Sequence, residues 1–203
     1  MLPSTHETLR KLQENGHFIA IATGRSYTMA KAAIEETGIK NVVCAGGNGL
    51  VLDGKLLYVD PIERDKALLI VNELKEKKIP FVFKIDDSPN YYSYYKDVLD
   101  YIPELNSFAK LRYVDDDHYE QYDEIHKIYM HFKKGEPCPL ESLEKTGMHY
   151  ARYHDMSVVI EPDDKYKGIL DMIKYIGGNE EDIVVFGDGH NDLSMMQKAP
   201  MGI

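Results

Sequence analysis

Short apolar runs alternate with helix-like stretches at both ends of the chain. Residues 18–22, 42–45 and 183–186 are unbroken apolar runs. Runs of this length are typical of strands that are buried on both faces, as in a parallel sheet covered by helices. Residues 26–37 follow the first run with a helical pattern. The order helix, strand, helix, strand therefore predicts an α/β fold.

The first helix is predicted from the signals at its two ends. Ser4, with Glu7 three residues later, has the pattern of a capping box in which Ser4 is the N-cap residue. Leu9 and Leu12 supply an apolar stripe, and Gly16 is placed to end the helix. The sequence therefore predicts that this helix begins at Ser4.

The pattern changes in the middle of the chain. Residues 50–59 predict a hairpin, and residues 63–78 predict an amphipathic helix, because their apolar positions recur every three or four residues. Beyond this helix, apolar residues occupy alternate positions at 81–85 and 128–132. Such alternation predicts antiparallel strands with one exposed face. Residues 63–158 are therefore interpreted as a separate α+β module.

The charge balance limits the class of ligand. The 203 residues include 24 Lys and Arg against 34 Asp and Glu, a formal net charge of −10 at pH 7. Proteins that bind nucleic acid normally present a basic surface to the phosphates, so this balance argues against a nucleic-acid partner. A small phosphorylated ligand is not excluded, because a few local donors hold one phosphate. The acidic run at 115–117 is interpreted as a solvated loop.

The sequence contains no segment that predicts membrane insertion or export. No apolar run approaches the ~20 residues that a transmembrane helix needs. The first residues have neither the basic nor the apolar stretch of a signal peptide. Cys44 and Cys138 are too few for a disulfide framework. We therefore expect a cytoplasmic protein that binds no membrane.

A segment rich in glycine and aspartate, Gly187-Asp188-Gly189-His190-Asn191-Asp192, directly follows the third apolar run. Ligands bind at the carboxyl ends of strands in open parallel sheets, which is where this segment falls. Asp188 and Asp192 offer the oxygen ligands that Mg²⁺ prefers, in combination with substrate phosphate. The spacing alone leaves a second interpretation equally open, a Gly-Asp turn in which Asp192 caps the last helix.

Two further segments carry candidate phosphate ligands. Thr23-Gly24-Arg25-Ser26 leads from the first apolar run into a helix, where a hydroxyl and backbone N–H groups can bind an anion. Lys165-Tyr166-Lys167-Gly168 precedes another helix, and a lysine there can reach the same strand ends. Taken singly, the first segment is also consistent with a plain capped turn, and the second with exposed lysines.

In their order along the chain, these segments resemble the motifs of the haloacid dehalogenase-like phosphohydrolases, specifically the Cof-like branch with a large α+β cap. Residues 21–25 match the second motif of the family, Lys167-Gly168-Ile169 the third and residues 187–192 the fourth. Gly47-Asn48-Gly49 is similar to the Asn-Gly turn at the entry to the cap. The resemblance spans nearly the whole chain, and the combination is far more specific than any one segment.

The resemblance implies an α/β fold with a Rossmann-like parallel-sheet core and an inserted α+β cap domain. Residues 1–62 and 159–203 would form the core, and residues 63–158 the cap, which would close over the site and set the substrate. A run of tyrosines in this cap would either line the site or pack on the cap sheet: Tyr91, Tyr92, Tyr94 and Tyr95.

The resemblance also implies which residues bind phosphate. The Thr23 hydroxyl and the Gly24 amide would hold phosphoryl oxygens, with the catalytic Lys167 opposite them. Asn191 would contact the phosphate, and Asn48 is a weaker candidate for the same role.

The metal and the nucleophile are implied in the same way. Asp188 would ligate Mg²⁺, and the catalytic Asp192 would orient the metal shell. In this family an aspartate attacks the phosphoryl group, and water then releases phosphate from the aspartyl-phosphate. The motif that carries the aspartate, Asp-x-Asp-Gly-Thr, does not occur among the 203 residues. The resemblance therefore implies residues upstream of Met1, including the nucleophile, and residues downstream of Ile203.

These inferences predict an Mg²⁺-dependent phosphatase that hydrolyses small phosphorylated metabolites, either sugar phosphates or phosphorylated cofactors. Two alternatives stay open. One is a non-catalytic phosphate-binding protein of the same fold, and the other is a phosphomutase of the same superfamily. The oligomeric state is not predicted.

Overall fold

The computed structural model describes residues 1–115 and 118–203 and contains two compact units. Unit 1 consists of Met1–Val59 and Asp163–Ile203, and unit 2 consists of Asp60–Pro162. Unit 2 is therefore an insertion in the sequence of unit 1.

Two sequence-based points concern the chain as a whole. Asp116 and Asp117 of the acidic run lie outside the described residues, so the solvated loop stays a prediction. In the described part of the chain, no helix has both the length and the apolar character needed to cross a membrane.

The helices and strands are numbered along the chain. The helices are α1 (Pro3–Glu14), α2 (Tyr27–Thr37), α3 (Arg64–Glu76), α4 (Val98–Tyr101), α5 (Ser142–Thr146), α6 (Lys165–Ile176) and α7 (Leu193–Lys198). The strands are β1 (Ile21–Ala22), β2 (Val42–Cys44), β3 (Gly49–Leu52), β4 (Lys55–Val59), β5 (Phe81–Lys84), β6 (Asn90–Ser93), β7 (Lys110–Tyr113), β8 (Lys127–His131), β9 (Tyr150–His154), β10 (Ser157–Ile160), β11 (Val184–Val185) and β12 (Met201–Gly202). Short 3-10 helices cover Ala45–Gly47, Pro103–Ser107, Tyr119–Gln121, Glu180–Asp182 and His190–Asp192.

In unit 1, helix α6 packs against two groups of strands. β1 pairs in parallel with β2, and β3 and β4 extend this sheet as an antiparallel hairpin. β11 and β12 form a second parallel pair. Ile169 of α6 packs against the apolar cluster that contains Val43 of β2 and against the one that contains Val185 of β11. Parallel strands that share a helix confirm the predicted α/β core.

The strands β1 and β11 each lie at the edge of a sheet. Apolar residues in or near these strands face solvent, with Phe18 48%, Val184 48% and Phe186 65% exposed. The prediction that residues 18–22 and 183–186 are fully buried strands is therefore wrong. In the described residues, each of these strands is paired on one side only, which leaves the adjoining apolar side chains uncovered.

The first helix begins before the predicted capping box. Pro3 lies in its first turn, and the N-cap residue is Leu2, whose side chain makes no capping hydrogen bond. A proline at this position has the helical φ and lacks an N–H that would need a partner. The start of α1 is therefore set by Pro3, and the box of Ser4 and Glu7 does not form.

Unit 2 contains a six-stranded sheet in the order β7-β6-β5-β8-β10-β9. Phe81 and Phe83 pack on one face with α3, whereas Val82 and Tyr129 are covered on the other face by residues 98–105. The central strands are thus buried on both faces, and the predicted exposed face is wrong for them. The physical reason is the segment between β6 and β7, which folds back over the second face.

The predicted run of tyrosines has packing roles in this sheet. Tyr91 is 1% exposed and contacts the rings of Phe108 and Tyr129. Its neighbours are partly buried against the core that contains Phe81 and Phe83: Tyr92, Tyr94 and Tyr95. The interpretation that these residues pack on the sheet is the one that the contacts support.

Glu73 of α3 holds the start of α5. Its carboxylate accepts the backbone N–H of Glu141 at 2.9 Å and that of Ser142 at 2.8 Å, and it pairs with Lys77 at 2.7 Å. Burial opposes ionisation, but these hydrogen bonds outweigh it and lower the pKa of Glu73 from 4.5 to about 2. Because the pKa is lower in the folded state, the stabilisation is present above the unfolded pKa and is lost as the pH falls towards about 2.

We expect Glu73→Gln to lower the free energy of unfolding by about 2 kcal/mol at neutral pH, because a charged acceptor of two backbone N–H groups is lost. Urea unfolding at pH 7 and near pH 3 measures this difference, which should shrink at the lower pH. Glu76→Gln is the control, since Glu76 is an exposed residue of the same helix. An equal loss in both variants, or a difference independent of pH, would contradict this account.

Candidate active site

The loop after β11 is braced by the side chain of Asp192. This carboxylate accepts the N–H of Gly189 at 3.1 Å and is also hydrogen-bonded by the backbone of Asp188. Gly187 makes the arrangement possible, because a Cβ at this position would lie 2.5 Å from the Asp192 Cβ. The side chain of Asp192 makes no capping hydrogen bond to α7, so its role is to hold the loop.

A buried ion pair joins this loop to α6. Lys165 Nζ lies 2.5 Å from Asp192 Oδ1, and the two side chains are 3% and 13% exposed. Burial opposes ionisation of Asp192, but the hydrogen bond from Lys165 and those from the loop backbone outweigh it and lower the pKa of Asp192. An ammonium group and a carboxylate are therefore both fixed at the end of β11.

Asp164 links the start of α6 to the turn that follows β2. The side chain of Asp164 is the N-cap of α6 and accepts the N–H of Lys167 at 3.2 Å. Its own N–H donates to the Gly46 carbonyl at 2.8 Å, and the Gly46 N–H donates to the Thr23 carbonyl at 3.3 Å. A continuous chain of hydrogen bonds thus connects the end of β1 to the residue that precedes Lys165.

The Thr23 segment forms a tight turn between β1 and α2. The Thr23 hydroxyl accepts the N–H of Arg25 at 3.1 Å, and the Ser26 hydroxyl accepts the N–H of Met29 as the N-cap of α2. The hydroxyl and the amide of Gly24 therefore lie at the carboxyl end of β1, next to the turn at Gly46. The placement fits both the plain turn and the phosphate cradle that the sequence left open.

The side chain of Lys167 pairs with a residue of its own helix. Its Nζ lies 3.4 Å from Asp171 one turn further along α6, and its side chain is 48% exposed. The lysine that reaches the loop is Lys165, two positions earlier. Residues two positions apart in a helix lie on different faces, so the two lysine side chains point in different directions. The catalytic role of Lys167 stays a prediction, and Lys165 is the lysine that the structure places against the loop.

The sequence did contain a signal for Lys165. Gly168 packs against β2 and the turn, where a Cβ would lie 2.4 Å from Val43 Cγ1 and 2.7 Å from the Gly47 carbonyl. A side chain three residues before Gly168 lies on the same face of the helix and points towards the same core. The buried lysine is therefore Lys165, three residues before Gly168, and not Lys167, which is adjacent to Gly168 in the sequence.

The remaining predicted residues lie around these contacts. Asn48 follows the turn, and its N–H donates to the Ala45 carbonyl at 3.2 Å. Asn191 is exposed, and its side chain lies over Gly189, where a Cβ would be 2.6 Å from Asn191 Oδ1. Asp188 is exposed at the tip of the loop. Asn48 and Asn191 thus belong to two different segments of unit 1.

The chain offers a limited donor set for the Mg²⁺ ion that the family resemblance implies. The Asp188 carboxylate is exposed, whereas both oxygens of the Asp192 carboxylate already have partners. Across residues 1–115 and 118–203, no three His, Cys, Asp or Glu side chains converge as metal ligands. These donors fit an ion that takes one carboxylate from this loop and completes its shell with phosphate and water.

The fold and this loop agree with a hydrolase of the haloacid dehalogenase class. The model of one family, described as haloacid dehalogenase-like hydrolase, matches residues 1–203. The chain therefore belongs to the haloacid dehalogenase-like hydrolases, and the family predicted from the motifs is confirmed.

Curated relatives cover nearly the whole chain. YkrA of Bacillus subtilis, which is named provisionally as a phosphatase, is 27% identical over 98% of this chain and 77% of its own length. The pyridoxal phosphate phosphatase YbhA of Escherichia coli is 23% identical over 100% of this chain and 80% of its own length. These relatives are longer than the matched region.

Solved structures share the fold. A hypothetical protein from Geobacillus kaustophilus is 27% identical, with a TM-score of 0.78 over 100% of this chain and 78% of its own. The sugar phosphatase BT4131, of HAD subclass IIB, has a TM-score of 0.73 at 19% identity and covers 99% of this chain and 79% of its own. The predicted Rossmann-like core with an inserted α+β domain is therefore confirmed as the fold class.

Proposed function

We propose that the protein is an Mg²⁺-dependent phosphatase of small phosphorylated metabolites, either sugar phosphates or phosphorylated cofactors. The observation that carries the proposal is the buried pair of Lys165 and Asp192 beside a loop that exposes Asp188. Similarity to a pyridoxal phosphate phosphatase and to a sugar phosphatase supports the substrate class. The negative net charge and the cytoplasmic location expected from the sequence agree with a small-molecule substrate.

Each residue of this site has a distinct proposed role. Lys165 presents its ammonium group to the phosphoryl group and keeps Asp192 ionised. Asp192 holds the loop backbone so that Asp188 faces the ion. The Thr23 hydroxyl and the Gly24 N–H donate hydrogen bonds to the opposite side of the phosphoryl group, and fixed donors of this kind stabilise the charge of the transferring group. When bound, Mg²⁺ supplies a positive charge that polarises the phosphoryl oxygens.

We further propose that Asn48 and Asn191 complete the phosphate contacts. Unit 1 serves as the catalytic core, and unit 2 as the cap that selects the substrate. This division corresponds to residues 1–62 and 159–203 for the core and 63–158 for the cap, within a few residues of the compact units.

We propose that the nucleophilic aspartate lies at the end of a strand that pairs with the open edges of β1 and β11. Residues of both strands pack in one apolar cluster with residues of α6, yet the two strands belong to different sheets. Phe186 is 65% exposed beside β11 and Phe18 is 48% exposed beside β1. An added strand would form hydrogen bonds with the unpaired backbone groups of both edges and cover these side chains. Its end would lie beside Lys165.

The test begins with intact mass and N-terminal sequencing of the protein from its source cells. This protein is then assayed for Mg²⁺-dependent release of phosphate from a panel of sugar phosphates and phosphorylated cofactors. We expect turnover on the panel and a loss of at least about tenfold for Asp188→Asn. Asp182→Asn, at an exposed acid ahead of β11, is the matched control.

Other outcomes identify the alternatives. Phosphate binding with no turnover, and no aspartate pair in the mature protein, would indicate a phosphate-binding protein. Conversion of a hexose phosphate into its positional isomer, without phosphate release, would indicate a phosphomutase. Either result would overturn the hydrolase proposal.

A further inference from the structure

Two consecutive residues of the chain hold the two ends of α7. Lys165 pairs with Asp192, which is the N-cap residue of α7. Asp164 pairs with Lys198, the last residue of the same helix, whose Nζ lies 3.1 Å and 3.2 Å from the two carboxylate oxygens. The helix that follows the catalytic loop is therefore attached at both ends to the start of α6.

The two attachments differ in burial. The pair of Lys165 and Asp192 is buried, whereas the side chains of Lys198 and Asp164 are 48% and 45% exposed. An exposed ion pair contributes little to global stability. It can nevertheless restrain the C-terminal end of the six-residue helix α7, since the apolar contacts of Met195 hold the middle of the helix.

Asp164 also connects to the other side of the site. Its backbone N–H binds the Gly46 carbonyl, and a Cβ on Gly47 would lie 2.0 Å from its carbonyl oxygen. Gly46 is in turn bonded to Thr23. A shift of Asp164 would therefore change the distance between the Thr23 turn and the loop of Asp188 and Asp192.

We propose that Asp164 and Lys198 form a positioning pair that fixes α7, and through it the loop at 187–192, against the Thr23 turn. The consequence for phosphate binding rests on the proposed function. The consequence for the loop at 187–192 is independent of the proposed function, since it concerns only how α7 is held.

The first measurement is hydrogen exchange at the Gly189 N–H, which is bonded to Asp192 in the loop. Asp164→Asn keeps an acceptor for the N–H of Lys167 and removes the negative charge at position 164. Lys198→Met removes the ammonium group that pairs with Asp164. We expect exchange at Gly189 to be faster by roughly fivefold in each variant, with no further change in the double variant, because a pair acts as one unit. Exchange in β2 should be unchanged.

The second measurement is the Kd for inorganic phosphate in the presence of Mg²⁺, with the melting temperature recorded in parallel. A positioning role predicts a Kd raised roughly fivefold in both variants while the melting temperature stays within about 2 °C. Lys174→Met is the matched control, since it removes a lysine of α6 that pairs with Asp171 at 3.2 Å.

The results separate the two proposals. Unchanged exchange at Gly189 in both single variants, or effects that multiply in the double variant, would overturn the positioning pair. If the unmodified protein binds no phosphate, the proposed function fails, and hydrogen exchange still decides the positioning role. Equal changes in Lys174→Met would show that the effect belongs to α6 in general and would also overturn the proposal.

Discussion

Replacing Lys165 by methionine is expected to lower the free energy of unfolding by about 3–5 kcal/mol, because Asp192 is left as an unpaired charge in a buried position. Urea or thermal unfolding measures the loss. The same variant should weaken the binding of inorganic phosphate by about a hundredfold, since it removes the ammonium group proposed to face the phosphoryl group. Isothermal titration with phosphate and Mg²⁺ measures the second effect.

Two variants make this prediction specific to the buried pair. Lys167→Met should change the stability by less than about 0.5 kcal/mol and leave phosphate binding intact, because the side chain of Lys167 is half exposed on another face of α6. Lys165→Met combined with Asp192→Asn should recover part of the stability, since no buried charge remains, but none of the phosphate affinity. A larger effect of Lys167→Met than of Lys165→Met would refute the assignment.

Replacing Gly47 by alanine is expected to lower the free energy of unfolding by about 4 kcal/mol. The added Cβ would lie 2.0 Å from the Asp164 carbonyl oxygen and 2.9 Å from the Lys165 nitrogen, both of which are backbone atoms. The φ of +106° adds strain for any residue with a side chain. Chemical denaturation of the variant measures the loss.

Gly54→Ala isolates the contribution of the close contact. Gly54 has a similar positive φ of +78°, but a Cβ there would meet nothing within 4 Å. We expect this variant to lose only about 1 kcal/mol, from the backbone conformation alone. Equal losses at the two glycines would mean that the approach of Asp164 to the turn does not constrain unit 1.

Local patterns predicted most of the elements because their signals lie within one segment. The hairpin at 50–59 forms as β3 and β4, and the four apolar positions of the helix at 63–78 are buried in α3: Ala67, Ile70, Val71 and Leu74. Each of these follows from periodicity or turn chemistry alone.

Two of the differences between sequence and structure have another physical origin, since each depends on a contact between distant segments. Residues 98–105 cover the second face of the sheet in unit 2, and no alternation in β5 or β8 reveals this. The choice between Lys165 and Lys167 depends on which face of α6 meets β2 and the loop. The sequence motif predicts a lysine in the first turn of α6, and tertiary packing places Lys165 rather than Lys167 against the loop.

The order of segments in the two units has a consequence for the kinetics of folding. Val43 and Met172 share a core, although the whole of unit 2 lies between them in the sequence. Closing so long a loop carries an entropic cost before any contact is gained. Unit 2 is continuous, and Ile62 and Ile160, near its two ends, pack in the same cluster. Once unit 2 has folded, the effective loop is short, so the two halves of unit 1 are expected to assemble after it.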